Sequence, residues 1–206
     1  MSRSGAGLAA ALLIFIFSGG LLLAPAGCEA AKKVPPPPDG ALKPSEVVWS
    51  QQKEGLSVTV TASDDLNFAY GSPLGITICL YQLSDMAKFT ALASTFDGVR
   101  KLLAGDIEVL GGSALMSRVE YVQPGEKITR SFDRMEGAKY FAVAAGYAHC
   151  DPTRCSAYAP FPIDETVIKV KRRKKVTYYT AGTLAAGVLL NSEAVTVTGG
   201  EGGYER

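Results

Sequence analysis

The chain has 206 residues with 21 basic and 20 acidic side chains, enough for one ordinary domain plus a leader and tails. Only one charge, Arg3, falls within the first 27 residues, so the remainder carries equal numbers of basic and acidic residues. A nucleic-acid-binding protein needs a concentrated basic surface, so this balance argues against that class of protein.

The amino terminus has the pattern of a secretory signal. Residues 8–24 are almost wholly apolar and follow Arg3, which gives a positively charged start and a hydrophobic segment. This pattern predicts a signal peptide over residues 1–27.

A cysteine follows this segment directly. Ala26 and Gly27 precede Cys28, which resembles the lipobox of bacterial lipoproteins, although Pro25 stands where such boxes usually have Leu. The resemblance implies a covalent lipid on Cys28, with ordinary signal cleavage nearby as the alternative. Because Glu29 is not the Asp associated with inner-membrane retention, we expect the periplasmic face of the outer membrane as the location.

A proline-rich segment separates this cysteine from the first strand. Residues 28–45 include four consecutive prolines, Pro35–Pro38, which favour a stiff extended tether. A proline-recognition motif is the rival interpretation. We expect a β-sandwich domain over residues 46–198 and a flexible tail over 199–206.

The first half of that domain begins with strand patterns. Residues 56–62 alternate between apolar and polar side chains, which predicts the first sandwich strand, and residues 47–49 predict a short strand before it. The loop of residues 63–73 carries Phe68 and Tyr70, which either enter the core or remain free for a partner.

An apolar strand and a helical segment come next. Residues 76–83 predict a strand buried on at least one face. Ser84 is predicted to cap a helix whose first turn contains Asp85, and Gly105 is predicted to end a second helical piece.

The second half predicts further strands. Residues 115–122 and 127–132 flank Gln-Pro-Gly-Glu, which predicts a hairpin, and residues 140–147 predict a central strand. Strand-like residues 166–170 and 176–180 bracket the basic run Lys171–Lys175. That run indicates either a charged hairpin tip that prevents edge pairing or a patch for anionic lipid or an acidic partner. Further strand patterns lie at 184–190 and 194–198.

Three cysteines remain after Cys28. In an oxidising periplasm, Cys150 and Cys155 are predicted to form a disulfide. A metal site that uses His149 with these two cysteines is the alternative, but a fourth ligand is lacking. Cys79 lies within a predicted strand and is interpreted as buried apolar packing.

The sequence predicts neither a catalytic site nor a cofactor beyond the lipid on Cys28, and no metal. The single histidine, His149, stands beside a predicted disulfide, so it lacks a free cysteine partner. Adjacent carboxylates such as Asp64 and Asp65 more often make local backbone hydrogen bonds than acid–base chemistry. We therefore do not expect an enzyme.

Several pieces, in order, resemble the outer-membrane lipoprotein of type VI secretion systems, the TssJ family. They are LYQLSD with Phe89, LAGD at 103–106, Leu66-Asn67 with Gly71 and Pro73, residues 123–126, and residues 140–145. The resemblance spans about residues 56–163. It implies a transthyretin-like version of an antiparallel, all-β sandwich with one or two short inserted helices.

The resemblance also implies a structural function. It implies a lipid-anchored subunit that fixes the periplasmic part of the inner-membrane protein TssM to the outer membrane, in a complex that also contains TssL. It implies partner binding by the first loop: Asp64, Asp65, Leu66, Asn67, Phe68, Ala69 and Tyr70. The alternative is a stand-alone β-sandwich lipoprotein that binds a small ligand or peptidoglycan in a pocket.

Overall fold

The computed structural model describes residues 35–171 and 174–199 of the chain. The expected signal peptide, Cys28, the first part of the tether and the tail from residue 200 onward lie outside the described residues. Within the described ranges, no helix is long and apolar enough to cross a membrane.

The described residues form two packed four-stranded sheets and a separate two-stranded one. The sheet orders are β10-β9-β1-β4, β3-β2-β5-β6 and β7-β8. The strands are β1 Gln52–Ala62, β2 Ile76–Leu83, β3 Ala114–Val122, β4 Lys127–Arg134, β5 Tyr140–Ala145, β6 Ser156–Pro160, β7 Ile163–Lys171, β8 Lys174–Ala181, β9 Leu184–Leu190 and β10 Val195–Thr198. The helices α1 Ala87–Ala93 and α2 Phe96–Leu103 lie between β2 and β3, followed by a 3₁₀ turn, Ile107–Leu110.

The predicted β-sandwich with short inserted helices is confirmed. Strand pairing is antiparallel throughout the described sheets except between β1 and β9, which run parallel. β1 therefore has an antiparallel neighbour, β4, on one side and a parallel neighbour on the other. The strand pattern had not indicated this exception.

The main core fills the space between the two four-stranded sheets. Alternate residues of β1 and β2 face each other there, with Leu56 and Val58 opposite Ile78 and Leu80, and all four are buried. β5 contributes from the centre of its sheet, where the sequence predicted a central strand. Because side chains alternate across a strand, the other residues of β2 and β5 face outward.

The helices cover that outward face. Tyr81 of β2 is fully buried beneath them, and its hydroxyl donates to the Leu102 carbonyl at 2.5 Å. Its ring meets Phe89 of α1 edge-on, with 5.8 Å between centroids. Burial raises the pKa of Tyr81, so the phenol stays a neutral donor. Cys79 is also buried in this layer, which confirms its interpretation as apolar packing.

The helix start differs from the prediction. Ser84 does not cap α1: its backbone N–H donates to the Ser113 carbonyl and completes the end of the sheet. The N-cap position of α1 is Met86, which makes no side-chain capping bond, and Asp85 Oδ1 accepts from the Ala87 N–H at 2.8 Å in the turn before the helix. The predicted cap was wrong because the N-cap position falls two residues later and the Ser84 hydroxyl donates to the Ser113 carbonyl, at 3.3 Å.

The predicted hairpin at residues 123–126 was also wrong. The turn is present, with the Glu126 N–H donating to the Gln123 carbonyl and a positive φ of 72° at Gly125. However, the strands on either side belong to different sheets, because β3 pairs with β2 and β4 pairs with β1. The turn therefore carries the chain across the core.

The segment before β1 is not the short strand predicted at residues 47–49. It contains a 3₁₀ turn, Pro44–Glu46, followed by irregular chain. Before that turn, Ala41 exchanges two 2.9 Å backbone hydrogen bonds with Tyr179 of β8. The carboxyl-terminal part of the expected tether therefore lies against β8.

Arg134 joins separate segments at the end of the domain where β1 begins and β4 ends. It is only 1% exposed, and its two terminal nitrogens donate to the carbonyls of Gly182 (2.5 Å) and Ser50 (3.0 Å). Its guanidinium lies 5.6 Å from the Trp49 ring centroid and 5.9 Å from that of Phe161. Burial lowers the pKa of Arg134, and its Nε has no partner among the described residues. One cation thus joins β4, the segment before β1 and the β8–β9 connection.

We expect Arg134→Met to lower the free energy of unfolding by about 2 kcal/mol. Two buried carbonyls lose charge-assisted donors, and the removal of a buried charge offsets only part of that loss. Arg134→Lys should be at least as destabilising, since an ammonium cannot reproduce the planar fork. Urea unfolding followed by Trp49 fluorescence measures both effects. Arg130→Met, at an exposed position on the same strand, is the control. An Arg134→Lys protein as stable as the parent would contradict this role.

Candidate functional site

Connections of the sandwich meet at the end opposite Arg134. They are residues 63–75, 123–126, 146–155 and 191–194, and we call this surface the loop end. The Gly125 N–H donates to the Ser63 carbonyl, so the second connection packs on the first. The end that contains Arg134 and Ala41 is called the tether end. Each four-stranded sheet runs between the two ends, and eight strand residues span about 26 Å.

The first loop is partly folded into the core. Leu66 is fully buried and accepts a hydrogen bond from the Leu74 N–H, while Asn67 and Ala69 are nearly inaccessible. Of the residues expected to bind a partner, these three position the loop from within. Asp64 and Asp65 remain exposed.

Asn67 connects the first loop to two others. Its side-chain oxygen accepts from the Ala148 N–H at 2.7 Å, and its backbone N–H donates to the Asn191 carbonyl at 3.4 Å. Asn67 has a φ of 48°, a conformation that asparagine tolerates better than most residues. The loop end therefore has a fixed shape set by buried hydrogen bonds.

The tip of the first loop presents Tyr70 in a costly conformation. Ala69 and Ser72 exchange backbone hydrogen bonds of 3.0 and 3.1 Å, which closes a two-residue hairpin turn around Tyr70 and Gly71. Both tip residues have positive φ, 54° for Tyr70 and 86° for Gly71. Such turns favour Asn-Gly, whereas a left-handed tyrosine costs about 1–2 kcal/mol. Tyr70 nevertheless has 88% of its surface exposed.

Aromatic side chains extend the surface around Tyr70. Phe68 is 48% exposed on the same loop, and the ring of His149 lies 6.1 Å from that of Tyr70 at a tilt of 47°. The sequence singled out His149 only as a metal or catalytic candidate. Its place beside Tyr70 results from the packing of two loops that are far apart in the sequence.

The loop of residues 146–155 is braced by the β9–β10 connection. The Tyr147 hydroxyl donates to the Ala194 carbonyl at 2.6 Å, and burial raises the pKa of Tyr147, so it remains a neutral donor. Arg154 contacts Glu193 through a 3.0 Å ion pair and accepts a backbone hydrogen bond from Val195. These contacts fix the loop that places His149 beside Tyr70.

The two cysteines of this loop are neighbours and stand as thiols. Cys155 is buried, Cys150 is half-buried, and the two side chains interact. Burial, followed by the contact with Cys150, raises the pKa of the Cys155 thiol. In the described part of the chain, no group of three His, Cys, Asp or Glu residues is arranged to hold a metal ion. The predicted disulfide stays a prediction.

A shallow cleft adjoins this loop on the helical side. It has a volume of about 170 Å³ and lies between α2 and residues 146–150. Phe96 and Arg100 of α2 line it together with Cys150. The cleft continues the exposed loop surface onto the helical layer, but it is too small to enclose a typical ligand.

The fold and the loop end define a class of protein: a small β-sandwich with a helical layer on one sheet and a rigid, aromatic loop surface at one end. The model of the family described as "Type VI secretion lipoprotein, VasD, EvfM, TssJ, VC_A0113" matches residues 54–178. This match covers more than half of the chain, so the chain belongs to the type VI secretion lipoprotein family.

Solved structures share the fold. The crystal structure of the T6SS lipoprotein TssJ1 from Pseudomonas aeruginosa aligns with a TM-score of 0.52 and 14% identity over 73% of this chain and 95% of that chain. A chain of a structure described as "Type VI membrane complex" gives a TM-score of 0.50 and 20% identity, over 69% and 96%. A chain in a structure described as the TssM C-terminal domain from EAEC gives 0.47 and 18%, also over 69% and 96%. No curated protein sequence matches the chain.

We expect Tyr70→Asn to raise the free energy of unfolding by about 1 kcal/mol, because asparagine relieves the left-handed strain and Tyr70 buries little surface. Phe68→Asn is the matched control, since Phe68 lacks a positive φ and should give no gain. Chemical unfolding of the three proteins measures the difference. A Tyr70→Asn protein less stable than the parent would show that the tyrosine serves folding.

Proposed function

We propose that the chain is the lipid-anchored subunit of a type VI secretion membrane complex, and that its loop end binds the periplasmic part of the inner-membrane protein TssM. The observation that carries this proposal is Tyr70, a highly exposed aromatic side chain held in a strained turn on a rigid support. Strain at an exposed residue does nothing for folding and is typical of functional sites. Family membership supports the secretion system as the setting.

The anchor in this proposal is Cys28. Acyl chains on this cysteine would hold the protein at the membrane, since each buried CH₂ contributes about 0.8 kcal/mol to binding. Several chains hold a protein stably without a spanning helix. The outer membrane is the proposed location, and TssL is a further component of the proposed complex. Because the mechanism is attachment at two points, it needs neither a catalytic residue nor a cofactor.

The arrangement of the two ends suits this mechanism. The tether reaches the domain beside Tyr179 and Arg134, whereas Tyr70 and Phe68 lie at the other end of the sheets. A strand length of about 26 Å separates them. The proposed docking surface therefore lies at the end of the domain opposite Ala41, an arrangement that suits a link between two membranes.

The core favours a scaffold over a ligand-binding lipoprotein. The space between the sheets is filled by the side chains of β1, β2, β5 and β9. A cleft of about 300 Å³ at the tether end, beside Asp39 and Arg134, is open to solvent. The aromatic residues Phe68 and Tyr70 line neither this cleft nor the one beside α2, as expected for contact with a large partner.

We expect Cys150 and Cys155 to be joined when the chain is isolated from the cell envelope. Oxidation would transfer two electrons and two protons from the thiols to a disulfide-exchange enzyme, and the short closed loop would stiffen the support of His149. Alkylation before reduction, followed by mass spectrometry, measures it. Labelled Cys150 in the native protein would contradict the bond, and Cys79 serves as the internal free-thiol control after unfolding.

The docking proposal is tested with the tagged full-length chain and the periplasmic region of TssM from the same cell. We expect Tyr70→Ala and Phe68→Ala each to weaken binding about tenfold or more, because exposed aromatic anchors dominate such interfaces. Leu42→Ala removes an equally exposed apolar side chain at the tether end and should leave binding unchanged. Parent-like binding by the double Phe68→Ala/Tyr70→Ala variant would move the site elsewhere, and no binding by a folded parent would refute the proposal.

A further inference from the structure

Strands β7 and β8 form a hairpin that stands apart from the two sheets of the sandwich. They pair with each other, and β8 also pairs with Ala41; no other strand of the described chain joins them. The base of the hairpin, where Ile163 pairs with Ala181, lies at the tether end between the end of β6 and the start of β9. Eight register positions carry the strands about 26 Å from this base.

The hairpin is basic, whereas the rest of the protein is acidic. Residues 163–181 contain six basic and two acidic residues, and the remaining sequence contains fifteen and eighteen. Arg172 and Arg173 lie outside the described residues, whereas Lys169, Lys174 and Lys175 are described and exposed. We call β7 and β8 with these three lysines the basic hairpin.

The lysines of the basic hairpin lack acidic neighbours. Lys169 and Lys175 stand directly opposite each other in the register, an arrangement of like charges that destabilises a strand pair. Among the residues that the structure describes, no carboxylate lies within 4 Å of their ammonium groups. Some exposed cations elsewhere, such as Arg130 and Arg154, have acidic partners.

Exposed apolar side chains accompany this charge. Val167 and Val170 lie on β7 beside Lys169 and are 56% and 40% exposed. Basic residues next to exposed apolar residues are typical of surfaces that rest in the headgroup region of a bilayer. A tip that only prevented edge pairing would need charge, but it would gain nothing from exposed valines.

The length of the tether brings a bilayer within reach. Six residues lie between Cys28 and Pro35, so seven steps along the chain hold a lipid on Cys28 within about 25 Å of the first described residue. The base of the basic hairpin lies at the same end of the domain, beside Ala41, and its strands have a similar length. Attraction between lysines and anionic headgroups acts over about 8–10 Å at physiological salt.

We propose that the basic hairpin binds the anionic phosphate headgroups of the membrane that holds the lipid anchor. This inference rests on the proposed anchoring at Cys28. The hairpin supplies a second attachment that restrains rotation about the tether and keeps the loop end directed away from the bilayer. Each lysine is expected to strengthen the contact about fivefold.

The test uses the full-length acylated protein with Trp49→Phe, which removes the natural tryptophan and keeps an aromatic ring over Arg134. Val170→Trp places a probe on the hairpin, and Val119→Trp places one at a similarly exposed valine on β3. Both proteins are mixed with vesicles whose acyl chains are brominated, with or without phosphatidylglycerol. Flotation reports the anchor, and tryptophan quenching reports contact with the bilayer.

The inference predicts quenching at position 170 in phosphatidylglycerol vesicles and little at position 119. Lys169→Gln/Lys174→Gln/Lys175→Gln should weaken this contact about a hundredfold, and Lys53→Gln/Lys88→Gln/Lys127→Gln, which removes equal charge elsewhere, should not.

Other results separate the hairpin from the anchor. A protein that floats without quenching at position 170 would overturn the inference and leave the anchor intact. Equal quenching at positions 170 and 119, or quenching that the triple lysine variant of the hairpin retains, would have the same consequence. If the true partner of the hairpin were an acidic protein, the chain would float without quenching at position 170. Quenching in anionic vesicles without flotation in neutral ones would support the hairpin and refute the anchor. Neither flotation nor quenching would refute both.

Discussion

Strand β2 is buried on both faces, and much of the fold follows from covering it. One face, with Ile78 and Leu80, meets the second sheet, while Cys79 and Tyr81 on the other face need a separate cover. The two short helices supply that cover, and the Tyr81 hydroxyl finds its partner at the end of α2. A buried hydroxyl without an acceptor would cost free energy, so the position of α2 is tied to the strand beneath it.

The two ends of the sandwich are held by different chemistry. At the tether end, the buried guanidinium of Arg134 donates hydrogen bonds to carbonyls of two separate segments and packs against two aromatic rings. At the loop end, Asn67 and Tyr147 join the loops through neutral hydrogen bonds. Both sets of contacts hold irregular segments of the chain in place without strand pairing. This rigidity lets the strained Tyr70 turn persist, since a mobile loop would relax to a less costly conformation.

Local patterns predicted much of the fold because period-two alternation and apolar runs directly record which faces are buried. The strand at residues 56–62, the strand at 76–83 and the hairpin around the basic run were all confirmed. Predictions that depended on distant partners failed. Ser84 bonds to Ser113 rather than capping a helix, and the turn at 123–126 joins two sheets. For the loop, the sequence identified Phe68 and Tyr70 but left their burial open, and it placed His149 in a different kind of site.

The sequence by itself determined the class of fold, the presence of two aromatic residues on the first loop, the basic run and the membership of a secretion-lipoprotein family, because composition, periodicity and ordered motifs are local properties of the chain. Only the tertiary structure decided that Arg134 is buried, that Tyr70 lies beside His149 and that the tether and the basic hairpin share one end. These relations depend on which segments meet across the core. That choice is set by the summed packing of the whole domain, so no short stretch of sequence encodes it.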